Sequence, residues 1–141
     1  MDVLDESGAA LSPEVIQSSL IKIVRENDEK DPPVGVLTTL PRDEWASVRE
    51  RLLKDNSETL RSIDESLFAV CLSDQSPQGD IEKEARCMLH GEARDRWFDK
   101  SFQLVVSRDG EAAINFEHAW GDGIAVVRIC VNDSSQKPHV I

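Results

Sequence analysis

Apolar positions along the chain follow two periods. Ile16, Leu20, Ile23 and Val24 fall at i, i+4, i+7 and i+8, one face of a helix. Ser12-Pro13-Glu14 ahead of them reads as its start: a hydroxyl at the N-cap, Pro in the first turn, an acid near the positive end of the dipole. Residues 27–33 are charged and end in Pro-Pro, which stops the helix and predicts a linker. The short apolar run Val34 to Leu37 predicts an extended segment. Pro41-Arg-Asp-Glu-Trp opens a second helix with Trp45, Val48 and Leu52 on one stripe. Asp55-Asn56-Ser57 predicts its end, and Ser57 the cap of a short third helix with Leu60 and Ile63 inward.

The second half switches period. Leu67 to Leu72 is a continuous apolar run, which predicts a strand buried on both faces. Ser73 to Asp80 reads as a loop. Ile81 to Leu89 reads as a helix with Ala85, Met88 and Leu89 inward and His90-Gly91 at its end. Glu92 to Asp95 is a charged loop. Phe102, Leu104 and Val106 alternate with Gln103, Val105 and Ser107, Arg108-Asp109-Gly110 is a turn signal, and Ala112 to Phe116 returns. Residues 101–117 therefore predict a hairpin. Beyond a glycine-flanked loop at 118–123, Ile124, Val127 and Val131 at i, i+3 and i+7 favour helix over strand. The tail from Asn132 to Ile141 is polar.

Composition narrows the function classes. The chain has 141 residues, with 27 acids against 16 bases, a formal charge of −11. That balance argues against nucleic acid or an anionic membrane surface as the main partner, since both call for clustered Lys and Arg. No run of about 18 apolar residues is present to span a bilayer. Tyrosine is absent, and with four Phe and three Trp the core is expected to be mostly aliphatic. Cys71, Cys87 and Cys130 are widely spaced and odd in number, which suggests a reduced, intracellular setting. In that setting the Asn132-Asp133-Ser134 sequon is read as coincidence. The acidic N-terminus has the features of neither a signal peptide nor a mitochondrial presequence, so no address is expected in this chain.

Chemistry concentrates where the hairpin ends, at Glu117-His118-Ala119-Trp120-Gly121-Asp122-Gly123. A histidine at a strand end is held by rigid structure and titrates in the range suited to proton transfer. Asp122 lies four residues on, placed to fold back toward His118 or to tie the loop to a neighbouring element. Gly121 and Gly123 allow close backbone approach. A metal site lacks support: Glu117 and His118 point to opposite faces of a strand, and His90 and His139 have no ligands at suitable spacing. There is no G-x-S-x-G, no P-loop and no G-x-G-x-x-G.

The pattern H-x-x-x-D-G, here His118, Asp122 and Gly123, resembles the active-site signature of CoA-dependent acyltransferases with the chloramphenicol-acetyltransferase-like fold. Its context extends the likeness. Arg96-Trp-Phe-Asp-Lys-Ser-Phe102, Gly110 and the run Ala113 to Arg128 are similar to the choline/carnitine acyltransferase family, especially its long-chain mitochondrial members. Leu11-Ser12-Pro13, Leu37-Thr38, Arg42-Asp43 with Trp45, and Met88-Leu-His-Gly91 resemble it too.

The resemblance implies a mixed α/β (α+β) fold, helices around a sheet, with the hairpin carrying His118 to a cleft. It implies exchange of long-chain acyl groups between CoA sulfur and the carnitine hydroxyl, in mitochondrial fatty-acid oxidation on the matrix side of the inner membrane. His118 is then the general base, Asp122 an orienting acid that pairs with an arginine from the other half of the enzyme, and Gly121 and Gly123 backbone beside the substrate channel. Trp120 is read as packing. Coenzyme A is a co-substrate, with no permanently bound cofactor and no metal. The partners are acyl-CoA or CoA and carnitine or acylcarnitine, with no nucleic acid, and any membrane association lies in parts outside this chain. The family's carnitine grip, basic CoA segment and oxyanion motif follow the histidine by more than this chain extends. Residues 1–141 are therefore expected to be a central fragment of the acyltransferase domain, 131–141 a polar tail, and inactive alone. The rivals are a short-chain carnitine or choline acyltransferase fragment and a truncated, non-catalytic binding module.

Overall fold

Pro13 brings no backbone N–H to the first turn of α1 (Pro13–Glu26), and the amides of Val15 and Ile16 both donate to the Ser12 carbonyl, at 3.1 and 3.2 Å. The computed structural model describes residues 1–26 and 32–131. The predicted linker therefore lies largely outside the described residues, as do the tail and its sequon. The chain divides into two compact units, Met1–Pro32 and Pro33–Ile141.

In the first unit α1 has the predicted start, yet it buries no residue; Ile16 and Leu20 are half-buried and Val24 is 59% exposed. Before it, Leu4 bridges Ala10, and Asp5 organises the turn between them. Its Oδ1 accepts from the Ser7 amide at 2.8 Å and the Ala9 amide at 2.9 Å. This order comes from one carboxylate, which hydrophobic periodicity does not report.

The second unit begins with a 3-10 helix at Val34–Thr39, where an extended segment was expected. Two hydroxyls decide it: Thr38 Oγ1 donates to the Gly35 carbonyl and Thr39 Oγ1 to the Val36 carbonyl, both at 2.7 Å. Helix α2 (Arg42–Glu65) runs through the predicted break. The break survives as a kink: Asn56 leaves helical geometry (φ −130°, ψ 32°), and its side-chain amide donates to the Leu52 carbonyl at 3.2 Å. Trp45 and Leu60 are its buried residues.

Strands β1 (Ala69–Leu72), β2 (Phe102–Val106) and β3 (Ala112–Phe116) form one sheet in the order β1-β2-β3. β2 and β3 are the predicted hairpin, with Phe102 opposite Phe116 and Leu104 opposite Ile114. Gly110 closes its loop at φ +91°, a conformation that disfavours any residue with a Cβ. β1 pairs parallel to β2 and is an edge strand. It is not buried on both faces: Cys71 is 5% exposed but Leu72 is 38% exposed.

Helix α3 (Ile81–Leu89) crosses from β1 to β2. Asp80 caps it, accepting from the Glu82 and Lys83 amides at 3.1 and 3.2 Å. Its inward residues are Cys87 and Met88; Leu89, predicted inward, is 66% exposed. Cys71, Met88 and Val105 form a core with Ala69 and Ala113 packed against it. Asn115 fastens the hairpin to the end of α3, donating to the Met88 and Leu89 carbonyls at 3.2 and 2.7 Å. Helix α4 (Gly123–Val131) forms as predicted; among its described side chains Val126 is buried, Ile124 is 68% and Val127 44% exposed. Among the described residues no helix is long and apolar enough to cross a membrane.

Candidate functional site

The candidate site is assembled on the segment between α3 and β2. Arg96 is 2% exposed. Its Nη2 donates to the Cys87 carbonyl at 2.7 Å, and its Nη1 sits 2.6 Å from Asp95 Oδ2 in an ion pair. Nε makes no hydrogen bond, and the Asp95 contact lies off hydrogen-bond geometry for Nη1. The backbone of Gly35 passes so close to the Arg96 carbonyl oxygen that a Cβ there would collide with it. The next residues are tied down one by one. The Trp97 amide donates to Gln103 Oε1 at 2.6 Å and the Phe98 amide to Thr38 Oγ1 at 3.1 Å. The Asp99 carboxylate accepts from Arg42 at 2.6 Å and from the indole N–H of Trp45. Lys100 Nζ donates to the Asp64 carbonyl at 3.0 Å. Trp45 and Trp97 meet edge to face with centroids 5.9 Å apart.

Burial pushes the Cys71 thiol up to about 11, with Arg96 opposing the shift, so it is a neutral thiol near pH 7. It donates to Gln103 Oε1 at 3.3 Å and serves the packing of the sheet. An open groove of about 450 Å³ lies between α2 and this segment, lined by Arg42, Trp45, Arg49, Asp64, Trp97 and Lys100 among others. Arg42 and Arg49 are already paired there, with Asp99 and Asp64.

Ser101 ends the segment, and its carbonyl oxygen accepts twice: from the Glu117 amide at 3.0 Å and from Trp120 Nε1 at 2.6 Å. Between those donors lies His118, exposed on a turn, its ring tilted 36° to that of Phe116 with centroids 5.3 Å apart. The groove's lining does not include His118. The Ala119 amide donates to Glu117 Oε2 at 2.7 Å and holds the turn closed. The Trp120 ring lies 6.5 Å from the ring centroids of both Phe102 and Phe116.

Asp122 shares the turn with His118 but turns its carboxylate to α4, where Oδ1 accepts from the Gly123 amide at 2.7 Å and the carbonyl from the Ala125 amide at 2.9 Å. A carboxylate at a helix N-terminus complements the dipole. At Gly121 and Gly123 an added Cβ would meet nothing within 4 Å, so contacts of this chain do not call for glycine there. Among the described residues no three His, Cys, Asp or Glu gather as a metal site requires.

The family model described as Choline/Carnitine o-acyltransferase matches residues 1–139. The chain belongs to the choline/carnitine O-acyltransferase family. Mitochondrial carnitine O-palmitoyltransferase 2 of Mus musculus is 44% identical over 144 residues, 99% of this chain and 22% of that protein. Its Homo sapiens counterpart is 42% identical over the same shares. Carnitine O-acetyltransferase of Mus musculus is 35% identical over 158 residues, 100% of this chain and 25% of that protein. The chain thus spans about a fifth to a quarter of the length of these family members. Its mixed helix-and-sheet architecture is consistent with the family's CoA-dependent acyltransferase fold.

His118 and Asp122 are the site residues that the sequence pattern proposes. Arg96, Asp99 and the Ser101 carbonyl were not read as parts of the site. The available signal was an arginine and an aspartate set among aromatic residues directly before a strand.

Proposed function

We propose that this chain is the His118-bearing part of a carnitine O-acyltransferase that exchanges long-chain acyl groups between carnitine and coenzyme A. The observation that carries the reading is a histidine on a turn closed at both flanks, directly after β3 and inside H-x-x-x-D-G, in a chain of this family. His118 is the general base. In the direction acylcarnitine plus CoA it takes the thiol proton and returns a proton to the departing carnitine oxygen. Neither nucleophile is strongly ionised near pH 7, so a positioned base serves both directions. Transfer is direct, and the tetrahedral intermediate needs oxyanion donors placed where its charge develops. Asp122 orients the turn by starting α4, and Gly121 and Gly123 line the substrate channel with backbone. Coenzyme A is a co-substrate, and the site of action is the matrix side of the mitochondrial inner membrane.

The long-chain assignment is supported by 44% identity to a palmitoyl-type relative against 35% to an acetyl-type one. The test is a thiol-release assay with palmitoyl-CoA and carnitine on a protein of the relatives' length containing this chain. His118→Ala is expected to lower turnover by about 10²–10⁴-fold. Retained turnover in that variant would refute the base assignment. Acyl-length profiling separates the second reading, a short-chain enzyme, which favours acetyl-CoA. The 141-residue chain by itself is expected to give no turnover.

A further inference from the structure

We propose that Trp120 is a positioning residue for His118, acting through the Ser101 carbonyl and the Phe116 ring; the inference rests on the reading of His118 as the base. His118 lies inside a turn whose two flanks donate to one acceptor. The Glu117 amide reaches the Ser101 carbonyl oxygen at 3.0 Å and Trp120 Nε1 reaches it at 2.6 Å. A carbonyl oxygen has two lone pairs, so both bonds coexist. The Trp120 ring stands at 76° to Phe116 and 42° to Phe102, and Phe116 in turn faces the imidazole at 5.3 Å. The imidazole is backed by Phe116, Phe116 is braced by Trp120, and Trp120 is tied to Ser101.

Ser101 is a firm anchor. It follows Asp99 and Lys100, which are bonded to Arg42, Trp45 and Asp64 of α2. Trp120 is 44% exposed in this chain, and its indole N–H is bonded to the Ser101 carbonyl. Phenylalanine would cover the same rings without the N–H. The indole donor supplies what burial does not, a fixed distance between the hairpin's end and its base. A base displaced by even ~1 Å from its working geometry loses up to about 100-fold in rate, and a loss confined to the transition state lowers kcat without raising KM.

The test uses the full-length acyltransferase that contains this chain. Trp120→Phe is expected to lower kcat about tenfold, the order of one lost hydrogen bond, with KM for both substrates and Tm unchanged. The His118 ring-proton resonances, which sense Phe116, are expected to shift. Unchanged kcat overturns the proposal. A raised KM at unchanged kcat makes Trp120 a substrate contact and overturns it too. A fall in kcat that tracks a fall in Tm with unmoved His118 resonances assigns Trp120 to packing alone, and also overturns it. Phe116→Leu removes the ring beneath the imidazole without touching the indole bond; it is expected to lower kcat in the same way, and it carries the test if Trp120→Phe does not fold. His118→Ala is run in parallel. Turnover surviving there defeats the base assignment, whereas turnover lost there but intact in Trp120→Phe defeats only the positioning role.

Discussion

Residues 96–101 and residues 117–123 meet at the Ser101 carbonyl and are built on opposite terms. In the first, Arg96 is 2% exposed, and the Trp97 and Phe98 amides, the Asp99 carboxylate and the Lys100 ammonium each have a partner in another element. In the second, His118, Trp120 and Asp122 are exposed, and most bonds are made within the turn or to the helix that follows. The first segment is bonded into other elements and holds structure in place; the exposed turn presents a titratable group while borrowing rigidity through two hydrogen bonds. Changes in the first should therefore register in stability, and changes in the second in turnover.

The largest expected effect tests the exposed side. His118→Ala should cost about a thousandfold in turnover, equivalent to roughly 4 kcal/mol, while leaving Tm within about a degree. A clear drop in Tm, measured by thermal unfolding, breaks the comparison, because it gives the turn a structural load. Next is Gly35→Ala, which sets a Cβ against the Arg96 carbonyl oxygen. A collision with backbone has no side chain to move aside, so a loss of about 3 kcal/mol is expected from urea denaturation. A loss below about 1 kcal/mol would show that the segment yields. Trp45→Phe is smaller: it removes the indole donor to Asp99 from a residue 1% exposed. About 2 kcal/mol should follow, with turnover of the folded fraction nearly unchanged.

The smallest effect is electrostatic. Backbone and side-chain hydrogen bonds from Lys83 hold the Asp80 carboxyl below its usual range. A pKa depressed in the folded state stabilises above the unfolded value and loses that contribution as pH falls through the folded one. Stability should decline below about pH 4, and Asp80→Asn, which keeps a capping oxygen, should flatten that part of the curve. An unaltered acid limb in this variant would place the pH sensitivity elsewhere, for instance at Asp109, which Ser107 also holds low.

Much of the local structure was legible. The hairpin at 101–117, the Pro-led starts of α1 and α2, the span of α3 and the helical reading of α4 all follow from spacing between near neighbours. The misses share a cause. Thr38 and Thr39 fold 34–39 into a 3-10 helix that an apolar run does not announce. The break predicted at 55–57 is present as the non-helical Asn56; what the sequence did not show is that the two helical segments run on across it, with the Asn56 amide bonded to the Leu52 carbonyl. Helix α3 buries Cys87 and leaves Leu89 exposed, and among the described side chains of α4 Val126 is the buried one. Periodicity identifies a stripe, but which edge of it faces the core depends on where the sheet lies. At the site, the resemblance assigned His118 and Asp122 their roles; what it did not announce is that the Asp122 carboxylate accepts from the Gly123 amide at the start of its own helix.

The sequence by itself determined most of the helices and the hairpin, where the turn chemistry sits, and to which family the residues from Arg96 to Arg128 point. These rest on spacings of two to four residues, caps and turn chemistry, all local in the chain. Tertiary structure alone decided that Arg96 is buried, that β1 is an edge, and that one carbonyl holds both flanks of the His118 turn. Those outcomes depend on partners far apart in sequence: Trp45 with Asp99, 54 positions away, and Thr38 with Phe98, 60 positions away. No local pattern encodes such a pairing, because its energy exists only once the intervening elements have packed.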